Sequence, residues 1–192
     1  MRRGFKAGAE KRALQIRSDL SVNPTDKICP WRLAESLGVI VLNVAETDLA
    51  EQHRTRLLVE DPDSWSGLSL VDDGTHIVVL NETHPRTRQA ATLSHELAHI
   101  ILDHRPSEIT ASATGLYLLS DYSEDQEAEA DWLGAAMLLP QEALLDLRTR
   151  GKTFSEIAAM YGVSDELCIW RCRVTGIEKR LSYRRRRKND KS

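Results

Sequence analysis

The chain of 192 residues has no run of about 18 or more apolar residues, so no segment reads as a membrane-spanning helix. Its first 15 residues carry charges with no apolar stretch behind them, which argues against a secretory signal. Only three cysteines occur, Cys29, Cys168 and Cys172, and an odd count this small cannot make a disulfide framework. Together these absences predict a cytoplasmic protein, in a reducing compartment and off the membrane. Cys168 and Cys172 are four apart on an expected helix. They read as small buried side chains rather than metal ligands, because no second Cys/His pair lies near them. No internal repeat is visible, and low complexity is confined to the RRRRK run at 184–188.

Positive charge is missing from the middle of the chain. Between Arg105 and Arg148 there is no Lys or Arg, whereas nine Asp/Glu occur. Such a stretch suits the neighbourhood of a cation, although taken alone a solvated acidic face is the simpler reading. The basic residues collect at the other extreme. Residues 179–192 hold eight Lys/Arg against one acid, Asp190, so the net charge of −3 hides a net of −10 over the rest. What remains, 41% apolar and 29% charged, is ordinary for one core with a small appendage.

Patterning predicts a helix over 7–20, a short helix over 31–37 ended by Gly38, and a strand over 39–44. Residues 46–64 have no clear period. Strands at 66–71 and 76–80 are joined through Asp72-Asp73-Gly74 as a hairpin. A long helix follows at about 86–103, then an irregular excursion over 105–123, then a second strong helix over 124–139 stopped by Pro140. A short helix over 141–150 leads to residues 154–175, which have a helix-turn-helix layout around Gly162-Val163. Strands followed by helices, without strict alternation, predict an α+β fold with a small antiparallel sheet.

The chemistry is concentrated in Thr92-Leu93-Ser94-His95-Glu96-Leu97-Ala98-His99-Ile100-Ile101-Leu102-Asp103-His104. On a helix, His95 and His99 point from one face and can grip one metal ion through imidazole nitrogens. Glu96 lies one step round, near enough to reach a water at that ion without being a ligand. Zinc acidifies such a water, and Glu96 can take its proton and pass it to a leaving amine. Leu93, Leu97, Ala98, Ile100 and Ile101 anchor the helix. Composition alone produces this five-residue pattern in roughly one chain in a hundred, so two incidental histidines are the plain alternative and context decides. Here the motif follows a hairpin and precedes an acidic helix.

A catalytic zinc takes three protein ligands and keeps a fourth position open. In the acidic helix, Glu127 and Asp131 are four apart and share one face, whereas Glu129 lies roughly 160° from Glu127 at about 100° per residue. The spacing makes Glu127 the third ligand and Asp131 an acceptor that fixes a histidine tautomer. Glu129 is then expected to face solvent. The cofactor expected is one Zn2+ ion.

These residues resemble the ImmA/IrrE metallopeptidases. The resemblance rests on Asn81, Arg88-Gln89, the segment from Thr92 to Leu102, and Glu127, Ala130-Asp131-Trp132-Leu133-Gly134-Ala135 and Leu138-Leu139-Pro140. It ends with Val163-Ser164, Trp170-Arg171 and Gly176-Ile177. Members usually carry Phe-Ala where this chain has Leu133-Gly134, and often Asn where it has Asp131; neither change removes a ligand. The resemblance implies a compact thermolysin-like (gluzincin) zinc domain, expected at 1–148, then a helix-turn-helix-like module at 149–181 and a basic, disordered tail at 182–192. It also implies an anti-repressor that cleaves a helix-turn-helix repressor of a mobile element, phage, toxin–antitoxin or stress system. One branch adds a C-terminal sensor domain, for which this chain is expected to be too short.

Tyr117, Tyr122 and His104 lie in the right stretch to donate to a developing oxyanion. His53, His76 and His84 read as unspecialised, and Trp132 and Trp170 as helix-packing residues. A competing reading is a DNA-binding regulator that uses the C-terminal module and the basic run Arg184, Arg185, Arg186, Arg187 and Lys188, with zinc structural or vestigial. The expected second helix of that module carries Arg171 and Arg173 but begins with Asp165 and Glu166, a poor start for contacting phosphates.

Overall fold

The computed structural model describes the backbone of residues 1–106, 108–111, 117–120 and 122–189, and the side chains of 1–106 and 122–183. The strands described are β1 (Ile40–Asn43), β2 (Gly67–Asp72), β3 (Thr75–Leu80), β4 (Glu108–Ala111) and β5 (Tyr117–Ser120), in the spatial order β1-β3-β2-β5-β4. Asp73 and Gly74 both take positive φ, 43° and 77°, so the predicted hairpin closes through a two-residue turn whose twist matches its strands. β2 also pairs antiparallel with β5, and β5 with β4. β1 runs parallel to β3, with Ile40 opposite Ile77 and Asn43 opposite Leu80.

The sheet is therefore mixed, not the small antiparallel one expected. Parallel neighbours need a long crossover, and the chain passes from β1 to β3 through residues 44–74, which hold α3 (Glu51–Thr55), short helical turns and β2 itself and include the unpatterned stretch 46–64. The stretch at 105–123, expected to be irregular, contributes β4 and β5.

The helices lie close to their expected bounds: α1 (Phe5–Asp19), α2 (Pro30–Ser36), α4 (Arg86–Ile101), α5 (Glu124–Leu138), α6 (Gln141–Thr149), α7 (Phe154–Tyr161) and α8 (Asp165–Val174). Ser123 caps α5 by accepting from the Gln126 backbone N–H while Gln126 reaches back, and three acids sit favourably in its first turn. α5 is buried on two sides, against α4 and against α1. A Cβ at Gly134 would lie 3.0 Å from the Ser94 carbonyl and 3.1 Å from the His95 amide nitrogen, so glycine lets α5 come this close to the backbone of α4.

Leu93 and Leu97 of α4, Leu133 and Met137 of α5, and Ala13 and Ile16 of α1 form the centre of the core. Ile157, Tyr161, Cys168, Cys172 and Ile177 belong to the same cluster, so the helix-turn-helix-like segment shares the core of the rest. Trp170 meets Trp132 edge-to-face with centroids 6.1 Å apart. Arg171 is fully buried, donating to Glu10 Oε1 at 2.8 Å and to the Leu139 carbonyl at 3.1 Å.

α9 (Ile177–Asn189) carries the basic run as helix to Asn189, where a disordered tail was expected. Its first turns are packed through Ile177 and Leu181, which gives the helix a nucleus to propagate from. None of the described helices is long and apolar enough to cross a membrane.

Candidate active site

The middle of α4 is wedged between β2, β3 and α5, which fixes the direction of its polar face. His95 Nε2 and His99 Nε2 face each other at 3.0 Å. From α5, Glu127 places Oε2 at 3.1 Å from His95 Nε2 and Oε1 at 3.7 Å from His99 Nε2. Asp131, one turn further on, lies with Oδ1 at 3.0 Å from His95 Nδ1. That contact places the ring proton on Nδ1 and leaves the Nε2 lone pair turned inward.

One donor atom from each of His95, His99 and Glu127 falls within 4.8 Å of the others, the cluster of potential metal ligands found among the described side chains. Two imidazole nitrogens from α4 and a carboxylate from α5 converge on one point. The donor set therefore fits a divalent ion, and two nitrogens with one oxygen is a set that zinc accepts.

Electrostatics separates the groups further. Burial holds His99 neutral, with help from His95 and His104, and its pKa falls to about 3. Burial also disfavours a charged His95, but Asp131, Glu96 and Glu127 outweigh it and its pKa lies above the usual value. Burial raises Glu96 above the ordinary carboxylate range; the Ser69 hydroxyl and His95 pull it back in part, and Glu127 adds to the rise. A short hydrogen bond from Ser69 Oγ to Glu96 Oε2 fixes the carboxylate against the sheet.

Ser69 carries no sequence motif. The only available signal was period two along β2: Leu68 and Leu70 point to the other face, where they line a separate apolar cavity of about 790 Å³, so Ser69 must face α4. A cleft of about 330 Å³ lined by Ser66, Gly67, Ala91, Thr92, His95, Glu96 and Asp131 opens beside the cluster.

Two expectations are corrected. Glu129 does not face solvent: only 3% of it is exposed, and it accepts from Arg2 through both oxygens, at 3.0, 3.1 and 2.7 Å. The face of α5 opposite Glu127 is covered by the N-terminal segment, which the helical wheel cannot show. Those bonds lower the Glu129 pKa to about 2. His104, expected as an oxyanion donor, sits behind His99 with Nδ1 at 3.1 Å from His99 Nδ1 and a side chain only 4% exposed. That is the edge of the His99 ring away from Nε2.

Tyr122 stacks on the His99 ring with centroids 3.8 Å apart, and burial with Glu96 and Glu127 raises its phenol to about 12. The Tyr117 side chain and those of Arg184 to Lys188 lie outside the described residues. His84 is buried and its Nε2 lies 3.1 Å from the Pro62 carbonyl, a loop-holding contact. His76 lines a small hollow of about 50 Å³ with Ser69, His99, His104 and Tyr122.

Two histidines one helical turn apart, a glutamate from a neighbouring helix and a half-buried glutamate beside them define a metallopeptidase type of site. Comparison with known families agrees and is more particular. The model of peptidase family M78, the IrrE N-terminal-like domain, matches residues 50–172, and the chain belongs to that family. The matched span runs from the crossover segment through α4 and α5 to Cys172 in α8. No curated protein matches the chain.

Proposed function

We propose that the chain is a zinc-dependent endopeptidase that cleaves one specific cytoplasmic protein, a helix-turn-helix transcriptional repressor. The observation that supports the catalytic half is the convergence of His95, His99 and Glu127 donor atoms within 4.8 Å beside Glu96, which lines the adjoining cleft. His95, His99 and Glu127 would hold the ion, leaving a position open. Zinc, when bound there, supplies Lewis acidity, which polarises a scissile carbonyl and acidifies water. Glu96 accepts a proton from the attacking water and returns it to the departing amine, a task suited to a carboxylate whose pKa burial has raised. Asp131 keeps the His95 proton on Nδ1. Tyr122, beside His99, is the donor we assign to the developing oxyanion, with Tyr117 as the alternative.

The repressor substrate follows from the family resemblance of residues 81–177. The test is direct: Glu96→Gln is expected to keep zinc, by metal analysis, and to lose cleavage of a cognate repressor followed by intact mass. Undiminished cleavage would rule out Glu96 as the base.

The DNA-binding alternative has the basic run Arg184–Lys188 in its favour. Against it, Arg171 is enclosed with Glu10, and α8 opens with Asp165 and Glu166. Removing residues 184–192 separates the readings: a protease keeps its activity whatever happens to DNA affinity.

A further inference from the structure

Beyond the ligands, a line of polar contacts runs from His99 to the N-terminal segment. It rests on the metal-site reading above, because it concerns which nitrogen of His99 is free. His99 turns Nε2 toward His95 and Glu127, so ligation through that atom requires the ring proton on Nδ1. The atom that faces Nδ1 is His104 Nδ1, at 3.1 Å. To accept there, His104 must carry its own proton on Nε2. That nitrogen is buried, has no hydrogen-bond partner among the described residues, and faces Glu129 Oε2 at 3.5 Å. Glu129 is in turn held by the backbone N–H, Nε and Nη2 of Arg2. With His104 neutral and its Nε2 proton turned toward Glu129, its Nδ1 is free to accept from His99, and this arrangement leaves His99 Nε2 bare.

We propose that Arg2, Glu129 and His104 form a relay of positioning residues that fixes the metal-binding tautomer and orientation of His99. Asp131 does this for His95 by direct contact; His99 receives it through two residues and the N-terminal segment. Arg2 precedes the family-matched span of 50–172, so the relay joins this chain's own N-terminal segment to the shared site. Residues that orient a ligand from behind typically change metal affinity by about 10- to 100-fold when lost.

The experiment measures zinc affinity of the full chain by chelator competition, with apo-protein melting as a folding control. His104→Leu removes both contacts and is expected to weaken zinc binding about 10- to 100-fold. His104→Gln offers an oxygen to the His99 proton and an N–H to Glu129, and is expected to recover most of that loss. A residue that merely fills space would show no such rescue. Arg2→Ala, at a largely exposed position, keeps the backbone N–H on Glu129 and removes both guanidinium bonds; with its apo-protein melting checked, it is expected to weaken binding about tenfold. Nitrogen NMR of the loaded chain should show His99 protonated at Nδ1. The relay is overturned if His104→Leu and Arg2→Ala both bind zinc as the unsubstituted chain does, or if His104→Gln is no better than His104→Leu. Should His104→Leu fail to fold, Arg2→Ala and the rescue variant decide alone. An unsubstituted chain that binds no zinc would sink the metal-site reading itself, a distinguishable result.

Discussion

Glu96 is a half-buried carboxylate at the edge of the cleft, and the Ser69 hydroxyl fixes its orientation. Ser69→Ala leaves zinc ligation untouched but frees the carboxylate to turn, so kcat should fall about tenfold with zinc content unchanged. A variant with unaltered kcat would show that packing alone orients Glu96. Tyr122→Phe keeps the ring stacked on His99 and removes only the hydroxyl. If that hydroxyl meets the oxyanion, kcat drops about 100-fold at constant KM; an unchanged rate transfers the role elsewhere. At this scale, His95, Glu96, His99, Glu127 and Asp131 were legible because helical spacing converts sequence separation into a shared face. Ser69 and Glu129 were not, since their partners are 27 and 127 residues away along the chain.

Between elements, close approach decides the site's shape. Gly134 brings α5 against the backbone of α4 at His95, which carries Glu127 and Asp131 to the histidines. The second clamp is Arg171, which joins α8 to α1 through Glu10 and to the end of α5 through the Leu139 carbonyl. Burial lowers the Arg171 pKa and Glu10 holds it up against that penalty. Glu10→Ala would leave a buried guanidinium without its partner and should destabilise the fold by about 3 kcal/mol in urea unfolding. Replacing both residues, as Glu10→Leu with Arg171→Met, should be clearly milder, because no charge is stranded. Equal losses would mean that the pair matters only as packing. In sequence Arg171 was one of two arginines on an expected second helix of a helix-turn-helix layout; the helix was legible, and which of its faces was covered was not.

Taken as a whole, the chain depends on long-range closure: α1, from the N-terminus, packs on α5, and α9 packs on α6 and α8. An ion held between α4 and α5 would bind the folded chain alone. With free zinc at about a hundredfold above Kd, linkage adds about 2.7 kcal/mol, which for a chain of this size is a Tm rise of roughly 5–10 °C. Chelation should therefore abolish proteolysis and lower Tm together, by calorimetry. A Tm insensitive to chelator would place any bound zinc outside the folded site.

The α+β class, the bounds of α4 and α5, the β2–β3 hairpin and the His95–Glu96–His99–Glu127–Asp131 constellation were determined by the sequence alone. Each rests on local periodicity, a turn dipeptide or an i,i+4 spacing, all short-range properties of an L-peptide chain. The parallel placement of β1, the β4–β5 pair, the burial of Glu129 and Arg171, and the contact of Ser69 with Glu96 were decided only in three dimensions. These are meetings between residues distant in the chain, and they are set by which surfaces the packed core brings together.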